Sequence, residues 1–147
     1  MKRLPIVFLI ALLVSVSTYG QKITQPNTHT YYLELLGNSK DALYDSIMHQ
    51  FDLYLAQNPQ NLKVSIEQCK LIENAYYDTY EDYNPKYEEA LACIDSLVLN
   101  FPDEPEALLL KVDHLYGEEL TTYLEKINES MPYNHKWQGH EWKVFKL

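Results

Sequence analysis

From Tyr31 to about position 130, apolar residues recur at offsets of three and four, the period of a helix with one buried face. Tyr44, Ile47, Met48, Phe51, Tyr54 and Leu55 line the first clear face. Ser39 stands where it would cap that helix, and Asn58-Pro59 ends it. Asn61 is placed to cap the next, which carries Leu62, Ile66, Cys69, Ile72 and Tyr76. Asn84-Pro85 then offers a cap followed by proline at the first helical position. Tyr87, Ala90, Leu91, Ile94, Leu97 and Val98 make the sharpest amphipathic face, closed by Phe101-Pro102. Asp103 with Glu106 has the form of a capping box, with aspartate in place of the hydroxyl residue. Leu108, Leu109, Val112, Leu115 and Tyr116 follow, and Gly117 interrupts them. Leu120, Tyr123, Leu124 and Ile127 form a last face before Met131-Pro132. No alternating run or hairpin turn signal stands in this region, so the expected fold is all-α.

The ends read differently. Lys2 and Arg3 precede an apolar run from Leu4 to Val14, followed by Ser15, Ser17, Thr18 and Gly20. That order of charge, apolar core and small residues predicts a signal peptide over 1–20, cleaved after Gly20, with Ser17 as the alternative. The run falls short of the roughly 20 residues that span a bilayer. No Cys follows it, which argues against a lipoprotein anchor at that point. Residues 21–30 are polar, contain Pro26 and predict a flexible lead-in. The helical domain is expected over 31–132. A tail over 133–147 is basic and aromatic, with Trp137 and Trp142 among Lys136, Lys143 and Lys146. A capping helix, a short strand and a docking peptide are open to it, and the apolar end at Val144, Phe145 and Leu147 predicts that it folds back to cap the final hairpin.

The three helix ends marked by Pro59, Pro102 and Pro132 stand 43 and 30 residues apart. These spacings bracket the 34-residue period of the tetratricopeptide repeat. Ala90, Ile94, Leu97 and Pro102 resemble that family's second helix: a small residue, two apolar residues and a terminating proline. Leu120, Leu124, Ile127 and Pro132 repeat the offsets, with leucine in the small-residue slot. The family's first-helix pattern with Trp and Gly is absent. The resemblance implies a short α-solenoid of about three helical hairpins, with the first helix of each lining a groove. It also implies a non-catalytic adaptor that holds a protein or peptide.

Composition narrows the function classes. The formal charge is −9, and loss of Lys2 and Arg3 with the leader makes it two units more negative. With no clustered basic run, nucleic acid and anionic membrane surfaces are poor partners. The segment from Tyr76 to Tyr83 combines four tyrosines with Asp78, Glu81 and Asp82. Tyrosine supplies flat contact area and a hydroxyl at low entropic cost, which suits a recognition loop. The same residues also suit packing against a neighbouring hairpin. Tyr76, Tyr80 and Tyr83, with Trp137 and Trp142, are therefore the candidate binding residues. Sugar rings also stack on aromatic faces. Carbohydrate binding, or service as an accessory subunit of an outer-membrane uptake assembly, is thus the alternative function. Cys69 and Cys93 suit either a disulfide in an exported protein or two small buried apolar positions. His135, His140 and Glu141 lack the spacing of a zinc site. No metal, cofactor or catalytic residue is expected. The placement expected is the bacterial envelope, periplasmic or secreted.

Overall fold

The computed structural model describes residues 23–37, 40–77 and 83–144, with backbone alone at 40–42. The expected signal peptide, Ser39, Tyr80 and the last three residues lie outside these. Among the described residues there are seven α-helices and no strand. They are α1 (His29–Leu36), α2 (Lys40–Gln57), α3 (Leu62–Ala75), α4 (Tyr87–Asn100), α5 (Pro105–Val112), α6 (Gly117–Ser130) and α7 (Glu141–Val144). Two 3-10 turns, Met131–Tyr133 and His135–Trp137, join α6 to α7. No helix among the described residues is long and apolar enough to cross a membrane.

Of the expected lead-in, residues 23–30 are described, and His29 and Thr30 already belong to α1. Thr28 is extended where the chain enters the helix, and Pro26 is buried. The Asn27 N–H donates to the Tyr32 hydroxyl at 3.1 Å, and Tyr54 Oη donates to the Gln25 side chain at 3.4 Å. Thr28 caps α1 by accepting from the Tyr31 N–H.

Asn61 caps α3 as its position predicts, accepting from the Val64 N–H at 3.2 Å. Asn84 does not cap α4. That helix starts at Tyr87, two residues later than the Asn-Pro signal suggests. The buried Asn84 side chain instead joins two helix ends. Its Nδ2 donates to the Glu73 carbonyl near the end of α3, and its Oδ1 accepts from the Lys86 N–H. Nor does Asp103 form a capping box. Pro105 takes the first helical position, where a missing N–H costs nothing, so Glu104 becomes the N-cap. At the far end of α5, the chain turns through Gly117 at φ +57°, a backbone region that glycine enters without a Cβ penalty.

The helices pack in succession. α1, α2 and α3 enclose a cluster that includes Tyr32, Leu36, Tyr44, Phe51 and Leu71. α3, α4 and α5 enclose a second, with Ile66, Cys69, Ile94, Leu97 and Leu110. α5, α6 and the tail enclose a third around Leu108, Val112, Ile127 and Trp137. α3 and α5 therefore bury residues on two sides each and tie the three clusters together. Cys69 and Cys93 form a disulfide between α3 and α4, with Cα atoms 5.5 Å apart.

The tail folds back over the last pair of helices. Trp137 is fully buried there, and Val144 packs against the same cluster. Asn134 Nδ2 donates to the Asp103 carbonyl, and Lys136 pairs with Glu104. Both contacts fasten the tail to the turn between α4 and α5.

Candidate functional site

Tyr80 lies outside the described residues, and the other four aromatic candidates, Tyr76, Tyr83, Trp137 and Trp142, do not converge. Trp137 was expected on the surface and is instead a core residue, because its indole fills the third cluster. Trp142 is 55 % exposed on α7. Tyr76 is half-buried at the end of α3 and meets the Tyr44 ring edge-to-face, with centroids 5.1 Å apart. The Lys86 ammonium sits over both rings, 4.6 Å from Tyr44 and 5.5 Å from Tyr76, and also bonds Glu89. Burial, followed by the charges near it, pushes the Tyr44 hydroxyl upward, so it stays neutral beneath that ammonium. Tyr76 thus serves packing between α2, α3 and α4. Tyr83 is 58 % exposed.

One end of the molecule is nevertheless rich in exposed tyrosine. Tyr77, Tyr83, Tyr87 and Tyr116 all present ring surface near the α3–α4 connection and the α5–α6 turn. The Tyr87 ring lies against His114, which links these two regions. His114 Nε2 stands 3.3 Å from a Glu73 carboxylate oxygen, at an angle that makes no hydrogen bond.

A second feature was not visible as a site in the sequence. Between α3 and α5 runs an open cleft of about 600 Å³. Its floor is apolar, with Ile66 from α3 and Leu109 and Leu110 from α5. Lys63 and Lys70 line the α3 wall, Glu106 and Asp113 the α5 wall, and Lys143 reaches the rim from α7. None of these five charged side chains makes an ion pair among the described residues. The sequence signal was Lys63, Glu67 and Lys70 at i, i+4 and i+7, which reads as an ordinary solvated stripe until α5 is placed beside it.

Glu67, the remaining carboxylate of the cleft, is occupied. Its Oε2 accepts from the His29 N–H at 2.7 Å and lies 2.6 Å from His29 Nδ1. It thereby serves as a cap for α1 supplied from another helix, where a carboxylate also meets the positive end of the helix dipole. Burial acts to raise the Glu67 carboxyl. The bonds from the His29 backbone and ring, with the charges of His29 and Lys70, outweigh burial and hold it below its usual range. The folded chain therefore binds this proton less readily than the unfolded chain. The resulting stabilisation is present above the usual glutamate range near about pH 4.3 and is lost as pH falls through the lower folded value. The Tm of the wild type should thus fall more steeply than that of Glu67→Gln between about pH 5 and pH 3. Parallel acid profiles for the two proteins would rule this role out.

No group of three or more His, Cys, Asp or Glu side chains is placed to hold a metal among the described residues. His135 is exposed and His140 half-buried, while Glu141 accepts from the Gly139 N–H within its own turn. No family model matches this chain, and no curated protein or solved structure does either.

Proposed function

We propose that this protein is an exported, non-catalytic adaptor resembling tetratricopeptide proteins, and that the cleft between α3 and α5 holds a peptide segment of a partner protein. The observation that carries the reading is the cleft itself. Its floor is apolar and its walls carry charged side chains that make no ion pair among the described residues. An apolar floor supplies affinity, and charged rims supply orientation and selectivity. The serial packing of α1 to α6, with α3 and α5 each shared between clusters, supports a repeat-like framework. The leader-like segment over 1–20 supports placement in the bacterial envelope.

A second reading has one observation in its favour. The exposed tyrosines at the α3–α4 end offer flat faces on which sugar rings stack. It is the basis for carbohydrate binding, or for service within an outer-membrane uptake assembly.

A photo-crosslinking amino acid placed at position 63, 83 or 99 separates these readings. Lys63 lines the cleft, Tyr83 marks the tyrosine end, and Leu99 is an exposed control on α4. In native envelope extract, a discrete protein adduct is expected from position 63 and none from position 99. Adducts from position 83 alone would move the site to the tyrosine end. An absence of protein adducts at 63, together with retention on a glycan column, would replace the adaptor reading with the carbohydrate one.

A further inference from the structure

We propose that the α3–α5 cleft takes its partner as an amphipathic helix. That helix carries an apolar stripe for the floor, acidic side chains seven residues apart toward α3, and basic ones seven apart toward α5. The inference rests on the reading of this cleft as the binding groove and adds the chemistry of the partner.

The direction of the two walls comes first. Cys69 and Cys93 join α3 to α4, and Lys111 on α5 pairs with Asp95 on α4. The first link places the second half of α3 beside the middle of α4. The second places the late part of α5 beside the same region. Asn84, just before α4, bonds the Glu73 carbonyl near the end of α3, and Tyr87 at the start of α4 lies against His114 just past α5. With two links each, both helices are antiparallel to α4, so α3 and α5 run the same way. Lys63 and Lys70 are seven residues apart on α3, and Glu106 and Asp113 are seven apart on α5 and its C-cap. At a rise of 1.5 Å per residue, each pair is separated by about 10.5 Å along its helix. The cleft thus has a cationic wall and an anionic wall with the same spacing and the same direction.

An extended peptide does not match that spacing. Its side chains alternate, so those on one side recur at about 6.6 Å and about 13.2 Å. A helix matches it directly, because positions i and i+7 lie on nearly the same face about 10.5 Å apart. Lying along the cleft, such a helix would set an apolar stripe on Ile66 and Leu109 and one charged flank against each wall. This is helix-in-groove recognition, with flanking charges that set orientation as they do between paired helices. Glu67 takes no part, since His29 holds it. Lys143 adds a third cation at the rim.

The test uses synthetic peptides of about three heptads, each with the same leucine stripe. The first carries Glu on one flank and Lys on the other at seven-residue spacing. The second has the same composition with the flank charges shuffled, so that the spacing is lost. The third carries Lys on both flanks, and the fourth is the first interrupted by a central proline. Binding to the full mature protein is read by fluorescence anisotropy at low salt, where exposed pairs are least screened. The first peptide should bind about tenfold more tightly than the second, as expected of several exposed ion pairs acting together. The proline should abolish binding. Lys63→Glu with Lys70→Glu makes both walls acidic and should move the preference to the third peptide. Lys63→Gln with Lys70→Gln should lose the preference for the first without gaining one for the third. An unchanged Tm for both double variants shows that the fold is intact.

Equal affinity for the first, second and fourth peptides would overturn the inference while leaving the groove in place. So would failure of all four peptides in a protein that still crosslinks a partner from position 63. Loss of that crosslink would remove the groove reading itself, and this inference with it.

Discussion

Replacing Trp137 with alanine should lower the unfolding free energy by about 3–5 kcal/mol. The indole is fully buried between α5, α6 and the folded-back tail, against Leu108, Val112 and Ile127. Truncation removes the contacts of a large ring and leaves a void that the helices around it fill only in part. Single domains are stable by only about 5–15 kcal/mol, so this loss is a large share of the total. For a chain of this length it corresponds to a fall of about 10–20 °C in Tm. Trp137→Phe is the companion variant. The indole N–H has no hydrogen-bond partner among the described residues, so phenylalanine gives up ring area but no hydrogen bond. Its cost should stay below about 2 kcal/mol. Deleting residues 133–147 should destabilise at least as much as Trp137→Ala, because it also removes Val144 and the Asn134 and Lys136 contacts. Thermal melts of the three variants settle the matter. An unchanged midpoint on deletion would make the tail a docking peptide and not part of the core.

Trp137 also shows where the sequence was legible and where it was not. The helical faces of α2, α3 and α4 could be read from apolar spacing, because each face is buried by its immediate neighbours. The Asn61 cap was legible for the same reason, since its bond to Val64 is local. Trp137 stands among His135, Lys136 and Gln138, so its surroundings in sequence are polar. Only the return of the chain over α5 and α6 buries it. Asn84 departs from the local capping rule because its side chain makes a long-range bond, to Glu73 eleven positions earlier. The pairing of Glu67 with His29 spans 38 residues and leaves no local trace. The cleft shares this property. Lys63 and Lys70 become one wall of a groove only when α5 supplies the other.

Reduction of the Cys69–Cys93 disulfide carries the second large effect, about 3–4 kcal/mol. The bond closes a loop with a sequence separation of 24, and the chain-entropy relation for that length gives about 3.5 kcal/mol. The physical content is that the oxidised unfolded chain has fewer conformations to regain than the reduced one. The cross-link also has a local consequence. It clamps α3 to α4 inside the second cluster, and α3 supplies the cationic wall of the cleft. Cys69→Ala with Cys93→Ala should therefore melt well below the oxidised wild type and match the wild type in reductant. Urea midpoints with and without reductant measure the difference. A thiol titration of the unfolded oxidised protein should read no free thiol. If it reads two, the cysteines are a pair of small buried residues, and reductant will leave the midpoint where it was. If it reads none, loss of the bond should also weaken capture at position 63, because the α3 wall is then held by packing alone. Weakened capture with an unchanged midpoint would mean that the disulfide orders the cleft without supporting the fold, which a loop-entropy origin does not allow.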